Sequence, residues 1–388
     1  MVIKILLMKN LNYCSLGILL CLFINTSIFA QKTKRHKQLL ETLNKTLAEN
    51  NIPGLCFSII YENGTSEDYA AGFSDIENKI PLSKTNTLFS GSIGKTYAAA
   101  LIMQLVDKGT VNLKEKYTSY FPEVVWLHKL PNMKDITVEM LLQHTSGLPR
   151  YVLKTEVWKT LHKNPNKIWT YKDRLSFIFG DDPVHEAGKS WSYSDTNYIL
   201  LGMLIEKVTS NNYYDMVKSK LLNPHELSNT HPSLTRSIPN LATGYSKLPE
   251  TFYAPRKTVE NGEYFINPQL EWTGGGMAST TSDLAKWVKL YYEGSLFSKS
   301  TLKHITTPNP NGTNVENKSS YGMGSFIYES KLGQAYGHTG FMPGFNSIFI
   351  YYPGKKIAAA LQFNCDYASS VLSMNDLIDN LVLITIKE

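Results

Sequence analysis

The sequence predicts an α/β fold combined with an all-α part. An antiparallel β-sheet is built from N- and C-terminal segments, flanked by helices, and a helical domain is inserted between its halves. Three observations carry this expectation. β-Rich runs gather near both ends, helix-periodic runs fill the middle, and an amphipathic or apolar helix stands at each end of the folded part. The expected division is a signal segment at 1–30 followed by one domain at 31–388. Its α/β part covers about 31–85 and 270–388, and its helical part about 86–269.

The elements follow in order. Lys4 and Lys9 precede an apolar run from Leu16 to Phe23, then Ile24 to Ala30 and the polar Gln31, which is the layout of a secretory signal peptide cleaved after Ala30. Asn25, Thr26 and Ser27 cut the apolar span below the ~20 residues a membrane crossing needs, so no stable span is expected after cleavage. Bulky Leu20 before Cys21 argues against a lipoprotein signal. The protein is therefore expected to be periplasmic or secreted.

Leu39, Leu40, Leu43 and Leu47 recur at helical spacing, and Pro53-Gly54 ends that helix. Leu55–Ile60 and Glu67–Phe73 flank Tyr61-Glu62-Asn63-Gly64, a hairpin signal. Ile93–Val106 is apolar on nearly every face and reads as a buried helix stopped by Gly109. Further helices are expected over Val138–Gln143, Asn197–Val208, Tyr213–Leu222, Ser282–Tyr292 and Met374–Ile386, and strands over Tyr321–Tyr328, Gly344–Tyr352 and Ile357–Asn364. The aromatic-rich stretches between the middle helices carry no assignable pattern.

Composition narrows the function classes. The 388 residues are 43% hydrophobic and 19% charged, which excludes disorder and a polytopic membrane protein. The formal charge is +6, and residues 1–30 hold Lys4 and Lys9 with no acids, so the remainder carries +4. Basic residues are scattered apart from the run at 32–37, so no nucleic-acid partner is expected. Without the signal only Cys56 and Cys365 remain. They make no disulfide framework, and buried free thiols are expected. No His-x-x-x-His or Cys-His spacing implies a metal, and no cofactor is expected.

Residues 89–96, FSGSIGKT, pose the chemical question. Gly94-Lys95-Thr96 ends like a phosphate-binding loop, but Phe89 stands where the first glycine should make the turn. The preceding PLSKTNTL is also too polar for a buried parallel strand. The alternative is Ser92-x-x-Lys95, which places a hydroxyl and an amine one turn apart on a helix N-terminus. There an amine can activate a serine nucleophile. Alone this spacing is common by chance.

Two further segments give it weight: Trp191-Ser192-Tyr193-Ser194-Asp195-Thr196-Asn197 and Gly337-His338-Thr339-Gly340-Phe341. With Ser92-x-x-Lys95 they resemble the three active-site elements of the serine β-lactamase and penicillin-recognising enzyme superfamily. The likeness is greatest to its class C β-lactamase and D-alanyl-D-alanine carboxypeptidase branch. The segments 136–149 and 275–284 add to the resemblance, which covers roughly 35–385.

The resemblance implies that Ser92 forms an acyl-enzyme and that Lys95 and Tyr193 move its proton. It implies an oxyanion hole from the backbone amides of Ser92 and Phe341, and a substrate-binding role for Asp195, His338, Thr339 and Gly340. Gly340 is expected to let its strand lie close against the substrate. An unperturbed phenol near pKa 10 is a poor base at neutral pH, so Tyr193 needs a neighbouring cation such as Lys95.

Two departures from the family pattern matter. Asp195 replaces an asparagine and is expected to hold Lys95 as a cation. Ser194-Asp195-Thr196 also imitates a class A element, with a serine proton shuttle as its minor consequence. His338 replaces a lysine and is expected to be mostly neutral at pH 7, which favours peptidases and esterases over dedicated β-lactamases. His144 is expected to be a buried structural histidine. The implied protein is a monomeric, exported serine hydrolase acting on D-amino-acid peptides of the cell wall. Small acyl esters, then β-lactams, then a non-catalytic binding module are the alternatives.

Overall fold

The computed structural model describes residues 34–315 and 319–386, so the expected signal peptide lies outside the described residues. Among the described residues an eight-stranded antiparallel sheet runs in the order Ile80–Pro81, Ser66–Asp75, Gly54–Ile60, Ile357–Phe363, Phe345–Tyr352, Gly333–Met342, Phe326–Ser330, Ser320–Tyr321. Its centre joins the chain ends: Gly54–Ile60 pairs with Ile357–Phe363 in the register Leu55↔Phe363 to Ile60↔Ala358. A sheet made from both termini is thus observed.

Strand alternation sorts the core. Leu55, Phe57 and Ile59 face one layer, with Ile348, Ile350, Leu361 and Phe363 beside them. Leu39, Leu43 and Leu47 from the helix at 34–50, and Ile378, Leu381 and Val382 from helix Met374–Ile386, cover that face. Each such buried side chain contributes roughly 1.5–3 kcal/mol. On the opposite face Cys56, Phe349, Ala358 and Ala360 meet Leu284, Ala285 and Val288 of helix Thr281–Tyr292, and this cluster continues into the helices of the middle region. Cys56 and Cys365 are free and buried in different clusters, and burial pushes both thiols up to about 12.

Several boundaries differ from expectation. Tyr321–Tyr328 is two strands, because Gly322 donates its N–H to the Ser325 carbonyl at 2.9 Å and Gly324 takes φ +71°. Strand Gly333–Met342, expected at Gly340 but without bounds, carries the His338-Thr339-Gly340 segment. Tyr213–Leu222 begins as an α-helix and finishes as a π turn at Lys218–Leu222. The unassigned middle contains short helices Thr155–Lys163 and Tyr171–Ser176, the second tied down by the buried Arg174 guanidinium. Arg174 donates to the carbonyls of Leu270, Trp169 and Gln269.

Candidate active site

The turn at Ser92 is clamped on both sides by backbone. Leu88–Phe89 pairs antiparallel with Met277–Ser279, and Ser90 donates its N–H to the Met277 carbonyl at 2.9 Å. The chain then reverses at Gly91, φ +52°, enters a 3-10 turn at Gly91–Gly94 and continues as helix Lys95–Asp107. Strand Gly333–Met342 presses against this turn. A Cβ on Gly91 would lie 2.4 Å from the Phe341 nitrogen, and one on Gly340 would lie 1.9 Å from the Ser90 carbonyl oxygen. Its missing side chain makes room for the turn that carries Ser92.

The phosphate-loop reading fails on the same geometry. Leu88–Phe89 is antiparallel to its neighbour, and Thr96 is spent inside the core. Its hydroxyl donates to the Ile93 carbonyl at 2.7 Å and accepts from the Trp287 indole at 2.8 Å.

Ser92 and Lys95 meet as their spacing requires: Lys95 Nζ donates to Ser92 Oγ at 3.0 Å. The ammonium is fully buried and also donates to Asp195 Oδ1 at 2.7 Å and the Gly274 carbonyl at 2.6 Å. Asp195 stands at the first position of helix Asp195–Thr209, which brings it to Lys95 across a hundred residues. Its second oxygen accepts from Arg150 Nε at 2.9 Å and faces Arg150 Nη2 at 2.9 Å. Burial alone would raise the Asp195 pKa, but the Arg150 and Lys95 cations outweigh it and hold the carboxyl well below the usual carboxylate range. Both oxygens of Asp195 are engaged by cations of the protein itself.

Tyr193 lies just before that helix, half-buried, with Lys95 Nζ 4.8 Å and the Arg150 guanidinium carbon 5.2 Å from its ring centre. Behind it packs an aromatic cluster. The His144 ring is 4.2 Å from Tyr193, centre to centre, and the His338 ring 6.2 Å. His144 Nδ1 accepts from the Ser194 N–H at 3.1 Å, and burial first, then Lys95, drives its pKa well below the ordinary histidine value. His338 is fully buried. Its Nδ1 lies 2.6 Å from the Thr339 carbonyl, which can only accept, so Nδ1 carries the proton and Nε2 accepts from the Tyr321 hydroxyl at 3.2 Å. Burial lowers its pKa to about 3, against the carbonyl contact that favours the cation. His338 is neutral, and it backs the tyrosines.

Ser92 opens onto a cavity of about 280 Å³ lined by the polar Arg150, Asp195 and Glu271 and by the apolar Val152, Leu153, Trp158, Phe252, Phe341 and Pro343. A larger cavity of about 460 Å³ lies elsewhere, between strand Phe326–Ser330 and the start of the C-terminal helix, and Thr339 lines that one instead. Of these two, the smaller cavity holds Ser92, Asp195 and Arg150 together. The expected oxyanion donors are adjacent: the Phe341 backbone lies against Gly91, one residue before Ser92.

Arg150 and Glu271 were missed from the sequence. Arg150 directly follows the His144–Pro149 segment, and Glu271 stands three residues before the Gly274-Gly275-Gly276 run, so position beside a recognised segment was the available signal. Among the described residues no cluster of three His, Cys, Asp or Glu side chains could hold a metal, and no helix is long and apolar enough to cross a membrane.

The chain is similar to known proteins along most of its length. The family profile described as Beta-lactamase matches residues 37–383. Penicillin-binding protein 4* of Bacillus subtilis (strain 168) is 27% identical over 334 residues, 83% of this chain and 70% of its own length. The curated relatives are longer, and the chain spans 65% of the length of Protein flp from Staphylococcus aureus (strain N315). Among solved structures, a D-stereospecific amidohydrolase from Streptomyces sp. superposes with a TM-score of 0.73 at 26% identity, covering 86% of this chain and 95% of that one. The D-amino acid amidase of Ochrobactrum anthropi SV3, in complex with L-phenylalanine amide, gives 0.76 at 22% identity over 91% and 98%, a likeness of fold.

Proposed function

The chain belongs to the Beta-lactamase family and is a serine hydrolase. From that premise we propose that it cleaves amide bonds of D-amino-acid peptides, those of the cell wall foremost, through an acyl-enzyme on Ser92. The observation that carries this reading is the chain of contacts from Ser92 Oγ through Lys95 Nζ to Asp195 at 3.0 and 2.7 Å, opening onto the cavity beside Phe341.

In this reading Ser92 attacks the carbonyl carbon. Lys95, held as a cation by Asp195, donates to the nucleophile's oxygen and supports the ionised form of Tyr193 above it. Tyr193 takes the serine proton and passes it to the leaving amine. The Ser92 and Phe341 amides receive the oxyanion, each worth ~3 kcal/mol of transition-state stabilisation. Water then attacks the acyl carbon by the reverse proton path. The similarity to a D-stereospecific amidohydrolase and a penicillin-binding protein supports D-configured amides as substrates. Export before action rests on the Lys4–Ala30 pattern.

A second reading, hydrolysis of short acyl esters, is favoured by the small cavity with Val152, Leu153, Trp158 and Phe252 in its lining. The test is one set of incubations: a peptide ending in two D-alanines, a chromogenic short-chain ester and a labelled penicillin, each with the native protein and with Ser92→Ala. Release of D-alanine, lost in Ser92→Ala, is expected. Ester turnover without peptide cleavage would replace the first reading by the second. Turnover that survives in Ser92→Ala would sink both.

A further inference from the structure

Positive charge gathers on one short stretch beside the Ser92 cavity. Six of the 39 basic residues precede residue 38 and none of the 33 acids does, so the chain from residue 38 onward is neutral overall. Within it, residues 153–172 hold five lysines against Glu156 alone, a net of +4, which leaves −4 for the rest. Two of the five are paired: Lys154 Nζ lies 2.7 Å from Asp181 Oδ2, and Lys167 Nζ lies 3.9 Å from Asp173 Oδ2. Among the described residues, Lys159, Lys163 and Lys172 meet no carboxylate, and all three are exposed.

Helix Thr155–Lys163 turns these charges outward. Val157, Trp158 and Leu161 are buried, while Glu156, Lys159, His162 and Lys163 stand on the opposite, exposed face. Apolar side chains surround that face in solvent. Leu153, two residues before the helix, is 60% exposed, and Ile168, just past the Asn164–Lys167 turn that ends it, is 76% exposed. Tyr253, 37% exposed, stacks on the His162 ring at 4.7 Å between centres. Unpaired lysines interleaved with exposed apolar groups suit a surface that offers anionic headgroups above an apolar layer. A soluble polyanion would use the ammonium groups and leave the apolar ones in water.

We propose that the exposed face of helix Thr155–Lys163, with Leu153, Ile168 and Tyr253 around it, docks peripherally onto an anionic lipid surface. Leu153, Trp158 and Phe252 also line the Ser92 cavity, so docking sets that cavity at the lipid interface and favours substrates presented there. The docking does not depend on which bond Ser92 cleaves. It adds a place of action to the hydrolytic reading.

The charges set the size and the salt dependence of the effect. Glu156 on the same face, and Glu250 at the start of the Glu250–Phe252 turn beside Trp158, oppose the attraction. Each lysine held at an anionic bilayer adds about fivefold to the partition, and salt screens this within a Debye length of about 10 Å. Lys159 and Lys163 lie one helical turn apart on the exposed face, so both reach the headgroups together.

Vesicle sedimentation tests the proposal without turnover. The expected exported form, residues 31–388, contains every element of the described fold. It is spun with vesicles of equal parts phosphatidylcholine and phosphatidylglycerol, and with phosphatidylcholine alone. Binding to the mixed vesicles at low salt is expected. It should weaken at least about tenfold in Lys159→Glu/Lys163→Glu and persist in Lys159→Arg/Lys163→Arg. Ile168→Ser/Tyr253→Asn should weaken it at least about threefold relative to binding of dextran sulfate, a soluble polyanion. Asparagine suits the left-handed backbone of Tyr253, φ +50°. Native protein that ignores the mixed vesicles, or binds phosphatidylcholine alone as tightly, would overturn the proposal with no variant needed. So would undiminished binding by Lys159→Glu/Lys163→Glu, the result if the basic run at 32–37 carries the attraction. Native-like vesicle binding by Ile168→Ser/Tyr253→Asn would make the patch a polyanion site and overturn the lipid assignment.

Discussion

Replacing Asp195 with alanine removes a carboxylate bonded to two cations, and the structure sets the size of the effect. Lys95 is fully buried and its partner nearly so, with side-chain exposures of 0% and 4% and a 2.7 Å contact. Arg150 is 36% exposed, so water can replace Asp195 there and that half of the bridge counts for little. The cost is therefore mainly that of stranding Lys95, about 3–5 kcal/mol for a buried pair that loses one partner. A chain of this size should then melt roughly 5–10 °C lower.

The pH dependence follows from the depressed pKa of Asp195. Its stabilisation is present above the unfolded carboxyl value near 3.9 and is lost as pH falls below that toward the folded value. The gap between native and Asp195→Ala proteins should thus shrink under acid stronger than about pH 4. It should also narrow as pH rises through about 7, because burial and the Asp195 charge raise the Glu271 pKa to about 7 and the variant lacks the second of these. Thermal and denaturant unfolding across that range measure it, with Lys95→Met/Asp195→Ala as the closing corner of a double-mutant cycle. The double variant should lose less than the sum of the two singles. A single-variant cost below about 1 kcal/mol would refute the idea that Asp195 is there to hold Lys95 charged.

Gly340→Ala puts a carbon 1.9 Å from the Ser90 carbonyl oxygen and 2.2 Å from Ser347 Oγ, so the strand and the nucleophile turn must separate. A loss of about 1–3 kcal/mol in unfolding free energy and about 100-fold in kcat/KM is expected, and near-native kinetics would contradict the clamp described here. His338 should show no ring titration between pH 8 and 4 by nitrogen NMR, its signals assigned through their disappearance in His338→Gln. Because the unfolded chain protonates this ring near 6.5 and the folded one only at about 3, its neutral burial costs stability as pH falls between those values.

Much of this architecture could be read from the letters because local chemistry dictated it. The Asn63-Gly64 turn, the leucine spacing at 39–47 and the apolar run from Ile93 each satisfy one local rule, and each folded accordingly. Ser92 and Lys95 are neighbours by helix geometry alone, so their contact needed no tertiary knowledge. What was hidden depends on contacts between distant segments. Nothing near Gly340 says that the Ser90 carbonyl will fill the space of its side chain. Nothing near Arg150 announces a carboxylate 45 residues on. His338, expected in a substrate-binding role and mostly neutral at pH 7, is a buried ring inside an aromatic cluster, since the strand buries its even-numbered positions there.

The clamp around Gly91 also bears on when activity can arise during synthesis. Ser92 and Lys95 emerge within the first quarter of translation, but Gly275 and Gly340, which wedge their turn into place, arrive only after most of the chain has left the ribosome. Until then the serine has its amine but no rigid seat, and a fragment ending before the strand at 333–342 would carry the reactive pair without the means to aim it.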